Sequence, residues 1–154
     1  MFRLVLGIAI GYVLGSRAGR ERYEQIEVLD SIAWAHDHLL ARLTVKRRVR
    51  LAALHATCAS TRMGLNEKLQ AIAGELAEEV LIPATSSCCG MAGDRGMLHP
   101  ELPASALRDL PAELAGERID EHLCSNRTCE IALQEVTGAP YASFLLALER
   151  ATRP

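Results

Sequence analysis

Residues 49–83, VRLAALHATCASTRMGLNEKLQAIAGELAEEVLIP, decide the fold class. Val49 to His55 is a short apolar run that breaks into the hydroxyl-rich stretch Thr57-Cys58-Ala59-Ser60-Thr61, which predicts a buried strand ending at Cys58 and then a loop. Leu65, Leu69, Ile72, Ala73 and Leu76 then keep a 3.6-residue period among strong helix formers, the pattern of an amphipathic helix. Glu79-Val80-Leu81-Ile82 predicts a second strand, stopped by Pro83. Strand, helix and strand in about thirty residues make a βαβ unit with parallel strands. The expected fold is therefore α/β, a small mostly parallel sheet with flanking helices, preceded by one or two N-terminal helices.

Working outward, Arg20 to Leu43 has no interior glycine or proline, and Ile26, Leu29, Ala33, Leu40 and Leu43 form a helical stripe with Ile32 and Ala35 at its edge. His36 and His38 sit two apart and so leave a helix on different faces, which suits solvated histidines better than a shared metal. Beyond Pro83, Pro100 to Leu114 predicts one or two short helices with Pro103 and Pro111 in first turns. Arg118 to Leu123 predicts a third strand ending at Cys124. Thr128 to Val136 predicts a helix with Cys129 in its first turn, stopped by Gly138-Ala139-Pro140, and Ser143 to Thr152 a closing helix.

The chain has 154 residues, 49% of them hydrophobic and 4% aromatic, enough apolar material for one domain with a core. Seventeen Lys and Arg against nineteen Asp and Glu leave a net charge of -2, with no basic footprint for nucleic acid. Leu4 to Ser16 is uncharged, with Gly7, Gly11 and Gly15 on one helix face and Arg17, Arg20 and Arg22 following. Thirteen residues fall short of the roughly 20 that span a bilayer. Two readings fit: a membrane-associated segment whose basic flank holds the rest at the cytoplasmic face, or a hydrophobic terminal helix that packs on the domain. The expected division is a glycine-rich apolar segment over residues 1–26 and a cysteine-rich domain over residues 27–154. The wording from Gly11 to Tyr23 resembles small glycine-rich membrane-associated proteins of the YtxH-like type.

Five cysteines, an odd number, point away from a secreted disulfide framework and toward a cytoplasmic setting with metal or redox chemistry. In a parallel sheet Cys58 follows the first strand and Cys88-Cys89 the second, so both reach the carboxyl edge, where open α/β sheets bind ligands. The run Cys88-Cys89-Gly90-Met91-Ala92-Gly93-Asp94-Arg95-Gly96 has the composition of a loop wrapped around something. All five cysteines are expected at loop positions or a helix start, outside the apolar stripes that small core cysteines would occupy. A helix start at Cys129, with Arg95 and Arg127, would lower thiol pKa values and offset thiolate charge. Soft thiolates select zinc, copper(I) or iron–sulfur. Thiolates without a histidine partner, beside the glycine-loop amides of Gly90 and Gly93, favour iron–sulfur. Zinc sites use spaced cysteine pairs, and Cys88-Cys89 has no gap. A thiol–disulfide element, in which Cys88, Cys89 and Cys124 or Cys129 exchange, is a further reading. His55 either hydrogen-bonds a sulfur or caps the strand end.

Leu54-His55-Ala56-Thr57-Cys58, the run from Cys88 to Gly96, Pro100-Glu101-Leu102, Ser125 to Ile131 and Pro140-Tyr141 together resemble the cysteine-rich CCG domain of heterodisulfide reductase B subunits and glycolate oxidase iron–sulfur subunits. The likeness extends to the carboxyl-terminal end of FAD-linked D-lactate dehydrogenases. It covers residues from about Val28 to Arg153. The resemblance implies a [4Fe–4S] cluster held by cysteines drawn from Cys58, Cys88, Cys89, Cys124 and Cys129, passing electrons from a flavin toward a quinone-linked or thiol acceptor. The family's final motif is CxxC, whereas here Asn126 stands where the first of those cysteines belongs and Cys124 lies two positions earlier. The sequence has no glycine-rich FAD-binding region and no CxxCxxC run, so a flavoprotein subunit or domain is expected as the partner, with this chain a detached electron-transfer module. The alternative is a vestigial or zinc-binding structural module.

Overall fold

The structure, a computed structural model, describes residues 31–153. The apolar segment 1–26 and the first turns of the expected leading helix lie outside the described residues. Four strands form one all-parallel sheet in the order β2-β1-β3-β4, with β1 at Val49–Leu54, β2 at Ala77–Leu81, β3 at Glu121–Cys124 and β4 at Tyr141–Ser143. The register pairs Ala52 with Val80 on one side and with Glu121 on the other, and Leu123 with Ala142. This is the α/β arrangement that the periodicity predicts.

The chain enters through α1 (Ser31–Trp34), which loosens into a π turn (Ala35–Leu39) and a 3-10 turn (Leu40–Arg42). Ile32 and Ala35, expected at the stripe's edge, are the buried positions, and past the extra residue of the π turn Leu40 and Leu43 are only half-buried. After β1, the hydroxyl-rich stretch expected as a loop is a short helix, α2 (Cys58–Arg62). Thr57 caps it by accepting a hydrogen bond from the Ser60 amide at 3.1 Å. The strand itself ends at Leu54, earlier than the expected Cys58. The amphipathic helix α3 (Asn66–Leu76) returns the chain, burying Leu69, Ile72, Ala73 and Leu76. Strand β2 starts directly at Ala77, two residues before the expected Glu79. Arg48 fastens this turn by donating to the Gly74 and Ala77 carbonyls, each at 2.6 Å.

Three short helices follow the cysteine loop: α4 (Arg95–Leu98), α5 (Glu101–Ala106) and α6 (Leu110–Leu114), the first not anticipated. Strand β3 leads into α7 (Arg127–Thr137), capped by Asn126 and ended by left-handed Gly138. The short β4 was also missed, because three residues give no measurable alternation; α8 (Phe144–Thr152) follows it at once. Among the described residues no helix is long and apolar enough to cross a membrane.

Among the described residues the buried apolar side chains form two clusters. One lies under α1, α3 and α8, with Leu54, Leu69, Ile72, Leu123 and Phe144. The second joins Cys89, Met91, Leu107, Leu110, Cys124, Cys129, Leu133 and Tyr141. This corrects the expectation that every cysteine lies outside the apolar packing. At the carboxyl edge the space between β3, α7 and the short helices still has to be filled, and three cysteines help to fill it.

Candidate cysteine site

Parallel pairing brings the ends of β1, β2 and β3 to one edge. The chain passes from β1 outward to β2 and then back across β1 to β3, so the direction of strand order reverses between β1 and β3, the place where open α/β sheets form a crevice. Thr57, just past β1, and Ser125, just past β3, have their hydroxyl oxygens 3.4 Å apart there. Cys58 follows the one and Cys124 precedes the other. The loop after β2 is drawn to the same edge by Ser86, whose Oγ accepts from the Ala56 amide at 2.8 Å and lies 3.2 Å from His55 Nδ1. Two residues later that loop delivers Cys88 and Cys89.

The loop backbone curls through left-handed positions at Gly90, Ala92 and Gly93, with φ of 76°, 45° and 82°. Gly90 also lies under α5: a Cβ there would sit 2.6 Å from the Leu102 carbonyl oxygen and from the Pro103 Cα, both rigid backbone. Gly93 has open space around it. This curl separates the vicinal cysteines. Cys88 stays exposed and its sulfur accepts from the Gly90 amide at 3.4 Å, while Cys89 turns inward.

Cys89, Cys124 and Cys129 are 4%, 0% and 5% exposed, and the Cys89 and Cys129 sulfurs are 2.8 Å apart. Cys124 lies in the same buried cluster, and its sulfur donates toward the Asn126 carbonyl oxygen at 3.7 Å. Either sulfur of the close pair could carry the proton, and the surroundings favour Cys129. Contact with Cys124 and then Cys89 holds the Cys129 thiol up, whereas both partners are pulled down, first by Cys129 and further by backbone amides. Those amides belong to Met91 and Cys89 around one sulfur and to Asn126 and Ser125 around the other. Burial, followed by the Cys124 sulfur, pushes the Tyr141 phenol up to about 12.

The expected ligands therefore fall into two groups. Cys89, Cys124 and Cys129 come together and are buried; Cys58 begins α2 and, like Cys88, is exposed. Arg127, expected to offset sulfur charge, pairs instead with Glu130 at 2.8 Å, its own side chain 78% exposed. Glu130 is buried in the first turn of α7 beside Cys129, a role the sequence reading did not assign. Arg95 opens α4, next to Gly96. His122 faces the Tyr141 ring with centroids 5.0 Å apart.

The donor set is right in kind for a soft metal or an iron–sulfur cluster, with buried sulfurs and amides aimed at them. Its spacing is closed. Two thiolates on one tetrahedral metal at 2.3 Å stand about 3.8 Å apart, so the 2.8 Å pair would have to open by about 1 Å to share a metal. Among the described residues no group of three or more His, Cys, Asp or Glu side chains is arranged to hold a metal ion. Searches against family models, curated proteins and solved structures find no match.

Two predictions follow from this geometry. Gly93→Ala should cost about 1 kcal/mol for its left-handed backbone alone. Gly90→Ala adds a collision with fixed backbone and should lower the denaturant midpoint by clearly more; equal effects would contradict the close approach of α5. The second concerns His55, which is 1% exposed with Nε2 unpartnered, so that burial pushes its pKa down to about 4 from 6.5. Between those values the unfolded chain binds a proton that the folded chain refuses, so this contribution is complete above pH 6.5 and is lost as pH falls toward 4. The loss is at most about 3 kcal/mol. Unfolding curves of His55→Leu should lose less stability than wild type between about pH 7 and pH 4.5; parallel losses would refute the burial.

Proposed function

We propose that the chain is an electron-transfer module whose carrier is a [4Fe–4S] cluster, working with a flavoprotein of the FAD-linked 2-hydroxyacid oxidoreductase type. One observation carries this reading. Three cysteines, two of them 40 residues apart with their sulfurs in contact, converge as a buried group at the carboxyl edge of a parallel sheet, with exposed Cys88 adjoining Cys89 and exposed Cys58 following β1.

Cys89, Cys124 and Cys129 would hold the group, with Cys88 or Cys58 as the fourth thiolate at the rim. The cluster would accept and pass on single electrons. Amides of residues 89, 91, 125 and 126 would stabilise the negative sulfurs, and Met91, Leu107, Leu110 and Leu133 would keep water from them. Met97, Leu98 and Leu102 are exposed on the short helices packed over Gly90, an apolar surface beside the loop where a partner could approach the carrier. The flavin would sit on that partner, and the acceptor would be quinone-linked. Segment 1–26 would hold the module at the cytoplasmic face of a membrane.

Anaerobically purified protein should be brown, with iron and acid-labile sulfide in near-equal amounts, and Cys129→Ser should abolish both. Colourless protein that stays iron-free after reconstitution would overturn the reading, and colourless protein with bound zinc would favour the structural zinc module instead.

A further inference from the structure

We propose that Cys89 and Cys129 are also a redox modification site in their own right, closing to a reversible disulfide by exchange with a low-molecular-weight disulfide in the metal-free protein. The inference does not rest on the cluster. Their sulfurs stand 2.8 Å apart, and a disulfide of about 2.04 Å needs less than a further 1 Å of approach. The other cysteines are placed differently. Cys88 is turned out to solvent with its sulfur on the Gly90 amide, and Cys58 is exposed at the start of α2. Cys124 is fixed at the end of β3 with its sulfur beside the Asn126 carbonyl. Cys89, by contrast, lies outside any helix or strand with its sulfur already against that of Cys129, which is held in the first turn of α7.

The exchange balances in two steps. The Cys89 thiolate attacks one sulfur of the small disulfide, forming a mixed disulfide and releasing one small thiolate. Cys129 then attacks the Cys89 sulfur, its proton passing to the second small thiolate as that leaves. Two protein thiols are oxidised to one disulfide, and one small disulfide is reduced to two thiols. Because both sulfurs are buried, the rate is set by opening of the loop and is slower than reaction at Cys58 or Cys88. The oxidised pair removes two of the sulfurs assigned above to the cluster, so disulfide and cluster exclude one another.

The test uses the full chain, treated with a chelator, verified iron-free and incubated with glutathione disulfide, followed by non-reducing peptide mapping. The expected product joins the Cys89 peptide to the Cys129 peptide, survives Cys124→Ala and is reversed by dithiothreitol. A bond between Cys88 and Cys89 or between Cys124 and Cys129 would overturn the assignment. So would Cys89 and Cys129 that remain free when the incubation is continued to equilibrium, long after Cys58 and Cys88 have fully reacted. Because the main measurement is made on the unaltered chain, misfolding of a variant cannot decide it, and a cluster that fails to form leaves its outcome unchanged.

Discussion

Parallel pairing of β1 with neighbours on both sides obliges three strands to end at the same edge of the sheet. Ala52 and Ala53 at the centre of β1 are fully buried, small enough for the helices to close over them, and each is in register with both β2 and β3. Antiparallel pairing would have sent Cys58, Cys88 and Cys124 to opposite ends. Parallel pairing instead needs crossovers, and the crossovers place α3 under the sheet and the cysteine loop above its rim. The hydroxyl contact between Thr57 and Ser125 and the bonds from Ser86 to the end of β1 then draw the three chain segments into one cluster.

The second hydrophobic cluster has a double character. Its cysteines pack against Leu107, Leu110 and Leu133 as small apolar residues would, yet the Cys89 and Cys129 sulfurs also touch, and backbone amides further lower the Cys89 and Cys124 thiol pKa values. Packing alone explains burial. It does not call for the Cys89 and Cys129 sulfurs to stand 2.8 Å apart with Cys124 in the same cluster, nor for left-handed backbone at Gly90, Ala92 and Gly93 directly after inward Cys89 and outward Cys88. Those costs are what an arrangement serving sulfur chemistry would carry.

Much of this was legible in the residues. The apolar run of β1, the period of α3 and the stop at Pro83 gave a parallel unit, and from it the shared edge of Cys58 and Cys89. Cys129 in a first helical turn followed from the helical stretch Thr128 to Val136, while the Asn126 cap that starts α7 at Arg127 was not read. What was not legible depends on contacts distant in sequence. The short α2 forms because Thr57 and Ser60 bond each other, β4 forms because β3 offers an edge to Tyr141, and Gly90 follows the cysteine pair because α5 passes too close for a Cβ. The π turn after Trp34 changes the phase of the residues beyond it, which periodicity with a fixed angle cannot register. Glu130, buried beside Cys129, carries no signal in sequence beyond its place in a helix's first turn.

The most direct test of the account is the reactivity of the five thiols in the native, reduced protein, followed residue by residue with a maleimide and mass spectrometry. Cys58 and Cys88 should label quickly, while Cys89, Cys124 and Cys129 stay protected on that timescale and label only slowly, as the loop opens or the chain unfolds. Equal labelling of all five, or rapid labelling of Cys89 alongside Cys88, would show that the three sulfurs do not form a buried group.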